Sequence, residues 1–291
     1  MARYSIRDLE ILSGIKAHTL RVWEKRYGII EPKRTDTNIR YYDDDDLKKV
    51  LNIAILNNSG LKISKIASLP DDQIQKQVVI ITEDSKDEVN QLDSLVLSMI
   101  DLDEAKFEKN LSNSIIKLGF EETVTRVIYP FLEKIGILWQ VGSINPAQEH
   151  FISNLVRQKI IVAIDKLEPN CEEDCKKALL FLKEDELHEL GLLFYQYLLK
   201  KNGVKVIYLG QSVPMEDLET ISKIKDPDLI VSSFISSLSH TDFKKYIQQL
   251  AEKFPGKKIY IGGNQVSTIK FKLPANVIPV PDINVFKKEV L

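Results

Sequence analysis

The chain runs to 291 residues, 44% apolar and 28% charged, enough for two or three domains with cores of their own. No apolar run approaches the roughly 18 residues that cross a bilayer, and the opening MARYSIRDLE lacks a signal peptide's apolar centre, so no membrane partner and a cytoplasmic location are expected. The two cysteines, Cys171 and Cys175 in CEEDC, are too few for a disulfide framework and lack the His or further Cys of a zinc site; they read as a plain surface pair. The net charge of −2 is unevenly spread. Residues 1–42 hold nine Lys and Arg against five Asp and Glu, and a basic head on an acidic body predicts a nucleic-acid module joined to a part with another task.

In chain order, Ser5 with Asp8 three residues on makes a capping box, and IRDLEIL is expected as a short helix ending at Ser13-Gly14. Ala17 to Tyr27 follows as a second helix that turns Leu20 and Trp23 inward and points His18, Thr19, Arg21, Lys25 and Arg26 elsewhere. Two short helices across a Gly-containing turn, the second rich in side chains that reach phosphates and base edges, spell a helix-turn-helix. In EPKRTDTNIRYY, Pro32 and the polar run interrupt helix, and Ile39 to Tyr42 offers an extended edge, as in a wing. Asp43 or a neighbour then caps a helix through Asn58, ended by Gly60, with the acidic run Asp43 to Asp46 complementing its dipole.

Residues 85–168 repeat at helical spacing in four stretches: Val89 to Met99, Phe107 to Leu118, Val124 to Leu138, and Phe151 to Ile164 behind Asn145 as N-cap and Pro146 at the first helical position. Four such helices suggest a small bundle. From residue 176 the rhythm changes to short apolar strands, ALLFL, VKVIYL, DLIVSSF, KIYIG and NVIPV, alternating with amphipathic helices. That is the pattern of a parallel sheet covered on both faces, whose ligands sit beyond the carboxyl ends of the strands. The expected architecture is a multidomain α plus α/β chain: a winged helix-turn-helix over 1–75, a four-helix bundle over 85–168 and a Rossmann-like parallel α/β domain over 176–291.

Chemistry is expected at those strand ends. The first strand is followed by Glu186-Leu187-His188-Glu189-Leu190-Gly191, the third by Ser236-Ser237-Leu238 and the fourth by Gly262-Gly263. Singly, each is a surface histidine or a turn. Together they suit a bulky ligand that carries a metal, because a histidine can ligate through one nitrogen while a carboxylate holds the other, and small residues beside it leave a channel. The set resembles the cobalamin-binding domain of the methionine synthase and mutase families, with its Asp-x-His-x-x-Gly, Ser-x-Leu and Gly-Gly; here 44 residues separate Gly191 from Ser236 and 23 separate Leu238 from Gly262. The resemblance implies His188 as the lower axial ligand of cobalt, displacing the dimethylbenzimidazole, with Glu186 as carboxylate partner where the family has an aspartate. It also implies that Gly210, Val213, Ser236, Leu238, Gly262 and Gly263 line a slot for the nucleotide tail, with Gly191 closing the histidine motif.

In the bundle, Trp139 is followed after nine residues by Glu149-His150. Alone, these are a core tryptophan and a glutamate favoured by a helix dipole. With the downstream motif they resemble the helical cap of the CarH-type photoreceptor regulators, which implies that they enclose the adenosyl group of adenosylcobalamin. Where the light-sensing relatives place a cobalt-capturing histidine after the tryptophan, this sequence has Gln140.

The head from Thr19 to Gly28, TLRVWEKRYG, with Pro32, Arg34, Arg40, Tyr41 and Tyr42 after it, resembles the winged helix-turn-helix of the MerR family. That resemblance implies double-stranded operator DNA as partner, met by His18, Thr19, Arg21, Lys25, Arg26 and Tyr27 of the second helix and gripped at its backbone by Arg34, Arg40 and Tyr41 of the wing region. It implies homodimers, with tetramers as the state in which CarH-type proteins hold DNA. The function expected is a transcriptional regulator that senses cobalamin, in its adenosyl form and as a light sensor, and not an enzyme, since three such blocks leave no room for the separate substrate domain of cobalamin enzymes. The alternatives are a regulator whose C-terminal half only oligomerises, and a corrinoid carrier or enzyme subunit, which would have no use for the basic head.

Overall fold

The computed structural model describes every residue but 1–2, 36, 85–87, 141–143, 169–174 and 237, and all side chains of these except those of residues 79, 82–84, 88–90 and 137–140. It divides into two compact units, Met1–Leu155 and Val156–Leu291.

In the first unit, α1 (Ile6–Ser13) starts at the expected capping box, Asp8 N donating to Ser5 Oγ at 3.2 Å and Ser5 N to Asp8 Oδ2 at 2.7 Å, and stops at Gly14 in the left-handed conformation. The N-terminus of α2 (Ala17–Tyr27) has no side-chain cap from Lys16; Glu10 of α1 supplies it, accepting from Ala17 N and Lys16 Nζ at 3.0 Å each. A side chain of the first helix therefore sets the turn into the second. Leu20 and Trp23 are buried with Leu9, Leu12, Leu47 and Leu51. The wing is a two-stranded antiparallel ribbon of β1 (Lys33–Arg34) and β2 (Arg40–Tyr41), extended by a bridge between Tyr4 and Tyr42. Asp43 caps α3 (Asp44–Asn58) in a second capping box with Asp46. A short α4 (Ile63–Ile66) and α5 (Asp71–Asp84) follow, α5 burying Ile74 and Val78 and packing on α3.

Next come α6 (Glu88–Ile100), α7 (Glu104–Leu118), α8 (Phe120–Thr123), which passes through a π turn (Val124–Ile128) into α9 (Tyr129–Gln140), and α10 (Pro146–Asp165). The four expected helical stretches are present. The third starts earlier, at Phe120, and carries the widened turn just before Pro130, which has no N–H to give the ladder. Leu95, Val96, Met99, Phe107, Leu111, Val127 and Phe131 form the buried core here, with the Phe107 and Phe131 rings 6.3 Å apart. The division between the units falls inside α10.

The second unit alternates β3 (Lys177–Lys183), α11 (Leu190–Lys201), β4 (Lys205–Val213), α12 (Met215–Lys225), β5 (Leu229–Ser233), α13 (His240–Lys253), β6 (Lys258–Gly262), β7 (Val277–Pro279) and α14 (Ile283–Val290). All five strands are parallel, in the order β4-β3-β5-β6-β7. Ala178 to Leu182 of β3 are buried without a break, as a central strand covered on both faces demands. Leu179, Phe181, Ile230, Phe234 and Ile261 pack with Leu218 of α12 and with Phe243, Ile247 and Leu250 of α13. Beyond its expected end at Leu209, β4 continues to Val213 through Gly210 (φ 81°) and Ser212 (φ 51°), where its register with β3 shifts. The chain passes from β3 outward to β4, then back across to β5, so β3 and β5 part at a topological switch point. Of the CEEDC pair, Cys171 lies outside the described residues. Among the described residues no helix is long and apolar enough to cross a membrane.

Candidate functional site

The loops after β3 and β5 meet at the switch point. Glu186, 2% exposed, reaches across it: the amides of Ile235 and Ser236 donate to its Oε2 at 3.0 and 2.7 Å, and Ser236 Oγ donates to its Oε1 at 3.0 Å. The same Oε1 meets His188 Nδ1 at 2.6 Å and accepts from His188 N at 3.2 Å. The extra methylene of glutamate thus lets one oxygen reach the far loop while the other holds the imidazole. Burial pushes this carboxyl up, but the His188 ring and the amides of Ser236, His188 and Ile235 more than offset it and hold it at about 2.

A carboxylate at Nδ1 keeps the proton there and leaves the lone pair on Nε2 of a ring that is 61% exposed. That is how a metal-binding histidine is prepared. Among the described residues no group of three or more His, Cys, Asp or Glu is placed to hold a metal ion. An imidazole so held suits a single ligand to a metal that brings the rest of its coordination sphere with it.

The glycines sort by cause. A side chain at Gly263 (φ 94°) would come within 2.4 Å of the Phe234 carbonyl oxygen, and one at Gly262 within 2.4 Å of the Tyr195 hydroxyl, so the fold itself demands both. Gly191 is different: a side chain there would find Ser233 Oγ nearest, at an ordinary 3.7 Å, so packing does not reserve the position for glycine. Gly210 serves the bend in β4. Val213 and Leu238, both half-buried, pack against the cluster around Phe234 and Phe243. Glu189, which no motif singles out, is buried with its carboxylate held by Arg157 and Tyr208.

In the bundle, Asn145 caps α10 as expected, Ala147 N donating to its Oδ1 at 2.9 Å. Glu149 Oε2 lies 3.2 Å from Nδ1 of the exposed His150, and its other oxygen accepts from Ser153 Oγ. Trp139 and Gln140 belong to the closing turn of α9; the placement of their side chains lies outside the described residues.

On the winged helix-turn-helix, His18, Arg21, Lys25, Arg26, Arg34 and Arg40 are exposed, and Thr19, Tyr27 and Tyr41 half-buried. Arg34 and Arg40 are directly opposite one another in the ribbon, an arrangement of like charges that destabilises a ribbon until an anion lies across it. Arg34 Nη1 donates to Asn38 Oδ1 at 2.7 Å, while Arg40 Nη1 lies 3.8 Å from Glu24 Oε1 of α2. Arg3, not foreseen as part of this surface, lies over the Tyr41 ring at 4.9 Å.

Comparison with known proteins agrees with both halves. Residues 4–72 match the family described as MerR HTH family regulatory protein, and residues 91–163 and 177–281 each match a B12 binding domain. The chain joins a MerR-family helix-turn-helix to B12-binding domains. It is similar to the HTH-type transcriptional repressor CarH of Myxococcus xanthus, 27% identical over 267 residues, or 89% of this chain and 88% of that protein. It is also similar to the repressor CarA of the same organism, 26% identical over 261 residues that span 89% of this chain and 85% of that one. In fold, it is similar to the Methanosarcina barkeri monomethylamine corrinoid protein, at a TM-score of 0.50 and 18% identity over 61% of this chain and 85% of that one.

Proposed function

We propose that the chain is a DNA-binding regulator whose sensor ligand is adenosylcobalamin, held through His188. The observation that carries this reading is the Glu186, His188 and Ser236 cluster at the switch point: a single prepared imidazole, with no three-ligand metal cluster among the described residues, suits a cobalt already chelated by its macrocycle. Gly191, a position that packing does not reserve for glycine, suits a ligand passing beside the strand ends. When bound, an adenosylcobalamin supplies a cobalt–carbon bond that visible light cleaves.

The chain's own residues do the rest. Glu186 orients the His188 ring and keeps its lone pair on Nε2; Ser236 fixes Glu186 from the neighbouring loop. Trp139, Glu149 and His150, by the resemblance of the bundle to the CarH-type cap, would enclose the adenosyl group. In the first unit, α2 enters the major groove while Arg34 and Arg40 hold phosphates, and the operator is bound by a homodimer or by tetramers. The opposed arginines of the wing favour this reading over a corrinoid carrier, which has no polyanion to neutralise.

Titration of the purified full chain with adenosylcobalamin in the dark tests the proposal. The bound cofactor is expected to give the spectrum of histidine-ligated cobalamin with its own base released. His188→Ala is expected to bind about 10 to 100-fold more weakly with unchanged circular dichroism. Unchanged affinity in that variant overturns the assignment.

A further inference from the structure

Two carboxylates flank His188, and both are buried. Glu186 is held by the loop after β5; Glu189, 6% exposed, is held by a helix and a strand. Arg157 Nε of α10 lies 2.5 Å from Glu189 Oε1, and the Tyr208 hydroxyl of β4 donates to Oε2 at 2.9 Å. Burial, together with the Glu189 charge, pushes the Tyr208 hydroxyl up, so it remains a donor. Both oxygens of Glu189 are thus committed, one to a helix and one to the sheet, while its backbone opens α11. The loop between β3 and α11 is also tied by Asp185 N to Ser212 Oγ at 3.1 Å and by Gln211 Nε2 to the Leu187 carbonyl at 2.7 Å. Of these ties, only the one through Arg157 leads out of the sheet's own loops to α10, the helix whose first turn carries Glu149 and His150.

Resting on the reading of His188 as cobalt ligand, we infer that Glu189 is a positioning residue for His188, and that its bridge to Arg157 and Tyr208 couples the histidine loop to helix α10. A charge-assisted contact between a carboxylate and a guanidinium is among the stronger side-chain hydrogen bonds, and here it ties the loop to the helix. Because coupling is reciprocal, whatever a cobalamin at His188 does to α10, a change in α10 does to cobalamin affinity by the same factor.

The experiment uses the full chain with adenosylcobalamin in the dark, and the variants Arg157→Ala, Glu189→Gln and the two combined. Each single variant is expected to bind about tenfold more weakly, the usual effect of losing a partner behind a ligand. The double variant should lose no more than about twofold beyond the weaker single, because the two residues act through one contact. In Glu189→Gln the histidine-ligated spectrum should give way partly to the base-off form even at saturation. In the wild type, hydrogen exchange along residues 146–165 should slow when the cofactor is added; in Arg157→Ala that slowing should disappear although the cofactor still saturates. Arg157 is half exposed, so its variant keeps the test standing if Glu189→Gln does not fold. Wild-type affinity or wild-type slowing in Arg157→Ala, or fully additive losses in the double variant, overturns the coupling and leaves the His188 reading intact. A wild-type chain that binds no adenosylcobalamin overturns both.

Discussion

Position 186 shows how one methylene is used. A buried carboxylate here has two duties on opposite sides, the His188 ring at 2.6 Å and the Ser236 amide at 2.7 Å. Aspartate, shorter by about 1.5 Å, cannot meet both from the same backbone. Glu186→Asp, although it restores the residue usual in cobalamin enzymes, is therefore expected to weaken cobalamin binding about tenfold, read by the same dark titration; an Asp variant as tight as wild type would show that the loop after β5 simply follows the shorter side chain. The histidine, its carboxylate and Ser236 were legible in the sequence because their spacing is a motif. Glu189 was not, since its partners lie 32 and 19 residues away and neither belongs to a pattern. Gly262 and Gly263 were legible as small residues, but their causes, the Tyr195 hydroxyl and the Phe234 carbonyl, are facts of packing.

At the scale of elements, the wing concentrates repulsion on purpose. Arg34 opposite Arg40 on a two-stranded ribbon has no interior to stabilise it, and the contacts to Asn38 and Glu24 only partly neutralise the pair. On operator DNA each arginine is expected to replace counterions at a phosphate. Arg34→Ala and Arg40→Ala should each reduce the slope of log affinity against log salt by about one, with similar losses on unrelated sequences; Arg21→Ala, on the reading helix, should lose preference for the operator. Fluorescence anisotropy across a salt series separates the two behaviours, and an unchanged slope in both wing variants would remove the wing from the DNA surface. In this region α1 and α3 were legible because the capping box at Ser5 and the acidic run from Asp43 announce them; the box that Asp43 forms with Asp46 is seen in the structure. The extension of β4 was not: it passes through left-handed Ser212, a conformation no serine advertises. The π turn before Pro130 was equally hidden inside an unbroken apolar period.

At the scale of the molecule, the winged helix-turn-helix and the prepared histidine lie in different compact units, and the proposed sensor would convert the state of its cofactor into a change in assembly. Light offers a clean trigger, because it removes the adenosyl group that Trp139, Glu149 and His150 are proposed to enclose. Light-sensing relatives then secure the cofactor with a histidine placed after the tryptophan; here that residue is Gln140, whose amide is a weak ligand for cobalt. The lit protein is therefore expected to change its oligomeric size and release operator DNA, yet to hold its cofactor less firmly than a two-histidine site would. Gln140→His should gain a persistent two-histidine spectrum after illumination. Size-exclusion chromatography and absorption spectra of the adenosylcobalamin complex, before and after light, decide it. A wild-type lit spectrum with two histidine ligands that survives His150→Ala would refute the role given to Gln140. An oligomer indifferent to both cofactor and light would remove light sensing altogether, leaving the B12-binding half as an assembly module beneath a MerR-type DNA-binding head.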